Sequence, residues 1–87
     1  MLVGEPADAL AWRALGELTA LYHRPSGTTH VLAPPAPEIL RALGHAPMTE
    51  AALLAMLVRD YDLADPDPAA LAARVDELVG AGLVVRR

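Results

Sequence analysis

An α+β fold, a three-stranded antiparallel sheet followed by a three-helix bundle, is predicted for these 87 residues by three observations. Apolar and polar residues alternate with period two between Leu10 and Leu32, as in half-buried strands. From Pro35 onward the apolar residues recur at helical spacing instead. Turn and cap residues punctuate the junctions between these stretches. Strands that precede helices, rather than alternating with them, put the helices on one face or end of a small sheet. The length suits one domain, and we read residues 1–9 as a flexible arm and 10–87 as the domain.

The first strand follows from Leu10, Trp12 and Ala14 alternating with Ala11, Arg13 and Leu15, and Gly16 breaks it. From Glu17 to His23, Leu18, Ala20 and Tyr22 share one face while Glu17, Thr19, Leu21 and His23 share the other. Arg24-Pro25-Ser26-Gly27 has turn chemistry, since proline presets φ and glycine accepts a positive one. Thr28–Leu32 is the returning third strand of the meander. Three prolines between Ala33 and Pro37 exclude a strand or helix interior, but proline fits a first helical turn. A helix is therefore predicted from near Pro35 to Leu43, with Ile39, Leu40 and Leu43 as its stripe and Gly44 as its end.

Thr49 caps the second helix, whose predicted apolar face is Leu53, Leu54, Leu57, Val58 and Tyr61. Asp65-Pro66 stops it; Asp67 caps the third helix and Pro68 takes its first position. Leu71, Val75, Leu78 and Val79 are the stripe of that helix, closed by Gly80 or Gly82. Leu83-Val84-Val85 then packs back on the core before Arg86 and Arg87 return to water.

Composition narrows the function classes. There is no cysteine, which excludes disulfides and thiolate metal sites. All seven basic residues are arginines, scattered along a chain of net charge -4. Nucleic-acid binding draws on a basic face, so neither DNA nor RNA is expected as a partner. MLVGEPADAL lacks the basic start and apolar run of a signal peptide, and no stretch approaches a bilayer span, so no membrane partner and a cytoplasmic location are expected.

Little in the sequence supports catalysis. With a four-residue hairpin loop, His23 and His30 lie diagonally on one face about 7–8 Å apart. A loop one residue longer puts them on opposite faces. A zinc site needs a third and usually a fourth ligand, which His45, in another loop, does not readily supply. Solvated hairpin residues are the expected reading. Ser26, Thr28, Thr29 and Thr49 serve turns, a strand and a cap. Asp60, Asp62, Asp65 and Asp67 surround a helix end without the glycine and closing glutamate of a calcium loop. Neither enzyme activity, metal nor cofactor is expected.

Weight moves to binding. In a simple meander the third strand is an edge, and prolines follow it at once. It carries no acid or lysine to guard its unpaired backbone groups, so a peptide strand can add to it.

The stretches "LTALYHRPSGTTHVLAPPAPEILRAL" and "TEAALLAMLVRDYDLADPDPAALAARVDELVGAGLVVRR" together resemble the PqqD family of small peptide chaperones, also called RiPP recognition elements. The resemblance covers about residues 10 to 85. It rests on Thr49, Leu53, Leu57 and Tyr61, on the Asp67–Val79 helix, and on Gly82-Leu83-Val84. Trp12 and the His- and Thr-rich hairpin look like the HPr-related-system branch. Pro34-Pro35-Ala36-Pro37 stands where the family has a capped, polar helix opening.

The resemblance implies a winged-helix-like fold and a non-catalytic chaperone for the leader of a ribosomally made precursor peptide. The leader is expected to add as a strand to Thr28, Thr29, His30, Val31 and Leu32. Ala70, Arg74, Glu77 and Ala81 of the third helix form the other wall of its groove. Small side chains there leave room for apolar anchors, while Arg74 steers an acid of the leader and Glu77 rejects the wrong one. Expected partners are the precursor peptide, its modifying enzyme and a kinase-related protein of the same system, with the chaperone a monomer or weak homodimer. The competing readings are a winged-helix DNA-binding domain and a dimerisation domain.

Overall fold

The computed structural model describes residues 1–61 and 67–87. The alternation between Leu10 and Leu32 becomes a meander of three antiparallel strands, β2 (Leu10–Leu15), β3 (Leu18–His23) and β4 (Thr28–Leu32), in the order β2-β3-β4. β1 (Leu2–Gly4) precedes them and belongs elsewhere. Leu15 faces Leu18 across a two-residue turn in which Gly16 takes φ +65°. His23 faces Thr28 across the four-residue turn, where Gly27 takes φ +69° and donates to the His23 carbonyl at 2.9 Å.

Pairing of His23 with Thr28 and Leu21 with His30 fixes which side chains share a face. Leu10, Leu21 and His23 are turned to the core and buried. Leu15, Leu18, Tyr22 and Val31 are turned away and exposed.

Three helices follow the meander: α1 (Ala36–His45), α2 (Glu50–Tyr61) and α3 (Pro68–Gly80). α1 buries Pro37, Ile39, Leu40, Ala42 and Leu43, and runs two residues past the expected end, through Gly44. Thr49 Oγ1 accepts from the Ala52 N–H at 3.1 Å, and Asp67 Oδ1 accepts from the Ala69 N–H at 2.9 Å. Both are the caps that the sequence predicts. The predicted stop at Asp65-Pro66 lies outside the described residues, as does Asp62.

The α2 stripe is narrower than its periodicity suggests. Leu53 and Leu57 are buried and Leu54 is half-buried, but Val58 and Tyr61 are exposed. The bundle covers one side of α2; Val58 borders an open trough with Pro68 and Leu71, and Tyr61 lines a separate hollow with Pro34, Pro35 and Glu38. In α3, Leu71, Val75 and Leu78 are buried as expected and Val79 is half-buried.

The N-terminal segment departs most from expectation. Leu2–Gly4, read from sequence as part of a flexible arm, pairs antiparallel with β5 (Val84–Arg86) in a second, two-stranded sheet. Leu2 also exchanges backbone hydrogen bonds with Met48, at 2.6 and 3.0 Å. Its side chain enters the core, as do Leu83 and Val84. An added Cβ at Gly4 would meet Leu43, so β1 lies directly on α1. Arg86 is exposed, as expected, and its guanidinium also holds Glu50 of α2 and Asp76 of α3. No helix among the described residues is long and apolar enough to cross a membrane.

Candidate peptide-binding edge and groove

The two hairpins set the phase of the backbone hydrogen bonds. A two-residue turn is closed by a hydrogen-bonded pair, here Leu15 and Leu18, so bonded pairs fall on alternate residues. The Arg24 N–H donates to the Ala9 carbonyl at 2.9 Å, in the same phase. Leu18, Ala20 and Tyr22 thus bond toward β2, and Thr19, Leu21 and His23 toward β4. On β4 their partners Leu32, His30 and Thr28 bond inward. Thr29 and Val31 each turn one N–H and one C=O to the outer flank, where no strand among the described residues pairs with them.

Beside that flank lies a groove of about 200 Å³ between β4 and α3. Val31, Leu32, Ala33 and Pro34 form one wall, and Arg74, Glu77, Leu78 and Ala81 the other. Val31, 60% exposed, sits at the rim of the free edge. The Arg74 guanidinium is paired with Glu77 Oε1 at 2.9 Å, one helical turn along α3. Both groups are well exposed, and such a pair contributes only a few tenths of a kcal/mol. An incoming carboxylate can therefore displace Glu77 at little cost.

The residues singled out from sequence do not all meet here. Val31, Leu32, Arg74, Glu77 and Ala81 line one groove. Ala70 lines a neighbouring hollow of about 280 Å³ with Leu54, Leu57 and Leu71, and Arg74 borders both. Thr28 and Thr29 are exposed beyond the groove and His30 is half-buried. Ala33, Pro34 and Leu78 are additional wall residues. For Ala33 and Pro34 the signal in the sequence was the proline run directly after the strand; Leu78 was read only as part of the apolar stripe of the third helix.

The hairpin histidines have different surroundings from those expected. His23 is not solvated: it is 8% exposed, shares a 2.7 Å hydrogen bond through Nδ1 with Ser26 Oγ, and lies 3.3 Å through Nε2 from Glu5 Oε1. The Glu5 contact has ion-pair distance without hydrogen-bond alignment. It ties the hairpin turn to the segment before β2.

A scan against protein-family models and searches of curated proteins and of solved structures return no match.

Proposed function

We propose that the protein is a non-catalytic, cytoplasmic peptide chaperone that takes the leader of a precursor peptide onto the free edge of β4 and presents it to a modifying enzyme. The reading combines the resemblance to the PqqD family with one structural observation: an unguarded strand edge opening beside an apolar groove. Thr29 and Val31 supply four outward backbone groups, worth together about 2–6 kcal/mol net when paired. Ordering a flexible peptide costs about 2–5 kcal/mol. Micromolar affinity requires about 8 kcal/mol, so apolar leader side chains in the groove must supply most of the binding.

Val31→Pro tests this. Its N–H points outward, so proline removes a docking donor and leaves the β3–β4 bonds in place. The probe is a synthetic leader peptide, to be identified among the reading frames that neighbour the gene. Calorimetry is expected to show its affinity falling at least about tenfold while the fold is kept. Unchanged affinity in a folded variant rejects strand addition at β4.

The DNA-binding alternative is disfavoured by charge. α3, the helix a winged-helix protein would insert, carries Arg74 alone among basic residues, and Glu77 holds it. Asp76 lies on the same helix.

A further inference from the structure

We infer that the opposite edge of the sheet, β2, is a second strand-docking edge that takes an extended acidic segment of a partner protein, with a carboxylate seated on Arg41. The same phase argument applies. Ala11, Arg13 and Leu15 bond toward β3, which leaves the N–H and C=O of Trp12 and Ala14 directed outward. The Leu10 N–H is already used by the Ala7 carbonyl. Among the described residues no other strand meets the Trp12 and Ala14 groups. The edge has neither a proline nor a lysine to block pairing.

Next to it is a hollow of about 160 Å³ between β2 and α1, lined by Glu5, Leu10, Trp12, Leu40, Arg41 and His45. The Glu5 carboxylate lies against His23, 3.3 Å away, and is not paired with Arg41. Arg41 lies over the Trp12 ring, 4.7 Å from its centroid. Cation–π attraction fixes the guanidinium at the edge without the carboxylate that its planar fork of donors matches. Arg59, Arg74 and Arg86 are each paired with an acid, whereas Arg41 pairs with none among the described residues. Arg13, exposed on the same strand, adds a second positive charge. Backbone pairing plus this charge calls for a strand bearing glutamate or aspartate.

A second copy of the chain fits less well. Self-pairing of β2 about Arg13 sets two Arg13 side chains opposite each other, and pairing about Trp12 brings both Arg41 cations to one seam. β4 of another copy, Thr28–Leu32, has no acid to offer Arg41. This inference does not depend on leader binding at β4, and the test separates the two edges.

Trp12 is the chain's single tryptophan, so its fluorescence reports on this edge alone. The full chain is titrated with a capped synthetic peptide alternating valine with glutamate, and with its lysine-for-glutamate counterpart. Amide NMR locates the response. The glutamate peptide is expected to change Trp12 emission saturably and to shift the Trp12 and Ala14 amides. Its affinity should fall about tenfold in Arg41→Gln and in Ala14→Pro, and stay unchanged in Val31→Pro. Arg41 is exposed, so Arg41→Gln carries the test even where Ala14→Pro fails to fold. The inference is overturned by an equal response to the lysine peptide, by wild-type affinity in Arg41→Gln, or by shifts confined to Thr29 and Val31. Silence of Trp12 up to roughly 1 mM peptide overturns it too. Concentration-dependent self-association through Trp12 and Ala14 would assign the edge to a second copy instead.

Discussion

At Gly4 a Cβ would stand 2.7 Å from the Cβ of Leu43 and 3.2 Å from its carbonyl carbon. Neither obstacle is the movable end of a side chain, so β1 and α1 would have to separate. Gly4→Ala is expected to cost about 1–3 kcal/mol, the range for overpacking, seen as a lower urea midpoint at unchanged m-value. A loose N-terminal arm would tolerate the change. At the hairpin, Ser26→Ala removes the partner of a half-enclosed His23 nitrogen, with an expected loss of about 1 kcal/mol in the same assay. Arg74→Glu should leave the melting temperature nearly unchanged while weakening an acidic leader, because Arg74 is exposed and held only by Glu77. Equal binding by both forms removes Arg74 from the site. The i, i+3 spacing of Arg74 and Glu77 was visible in the sequence, yet their separate assigned roles overlooked that each is the other's nearest charge.

For the elements, hydrogen-bond phase turns neighbouring residues into opposite experiments. Val31 directs its N–H to the free flank, and His30 directs its own to β3. His30→Pro is therefore expected to break the β3–β4 ladder and lower the melting temperature far more than Val31→Pro, measurable by circular dichroism. Similar melting of the two variants would mean that the inferred phase is wrong. The strands and caps were legible because their determinants are local: alternation, Gly16 and Gly27 at positive φ, Thr49 and Asp67 at helix starts. Coverage of α2 was not. Its period places Val58 and Tyr61 beside Leu57, but whether anything packs over them depends on segments distant in sequence.

Across the whole molecule, the two ends of the chain close on each other. β1 pairs with β5, and Leu2 joins a core shared with Leu43, Leu53 and Val84. Leu2→Ala should cost about 2–5 kcal/mol, the range for a buried leucine, in a single cooperative thermal transition. A change below about 0.5 kcal/mol, the size of an ordinary surface substitution, would mean that the segment does not contribute to the core in solution. The sequence alone determined the three strands of the meander, the three helices after them, and their turns and caps, because each is set by residues within a few positions. Only the tertiary structure decided that residues 2–4 are a docked strand and that, among the described residues, the β2 edge is unpaired and Arg41 lies over Trp12 without an acid. Those outcomes depend on which distant segments meet, and burial and pairing between distant segments leave no periodic trace along the chain.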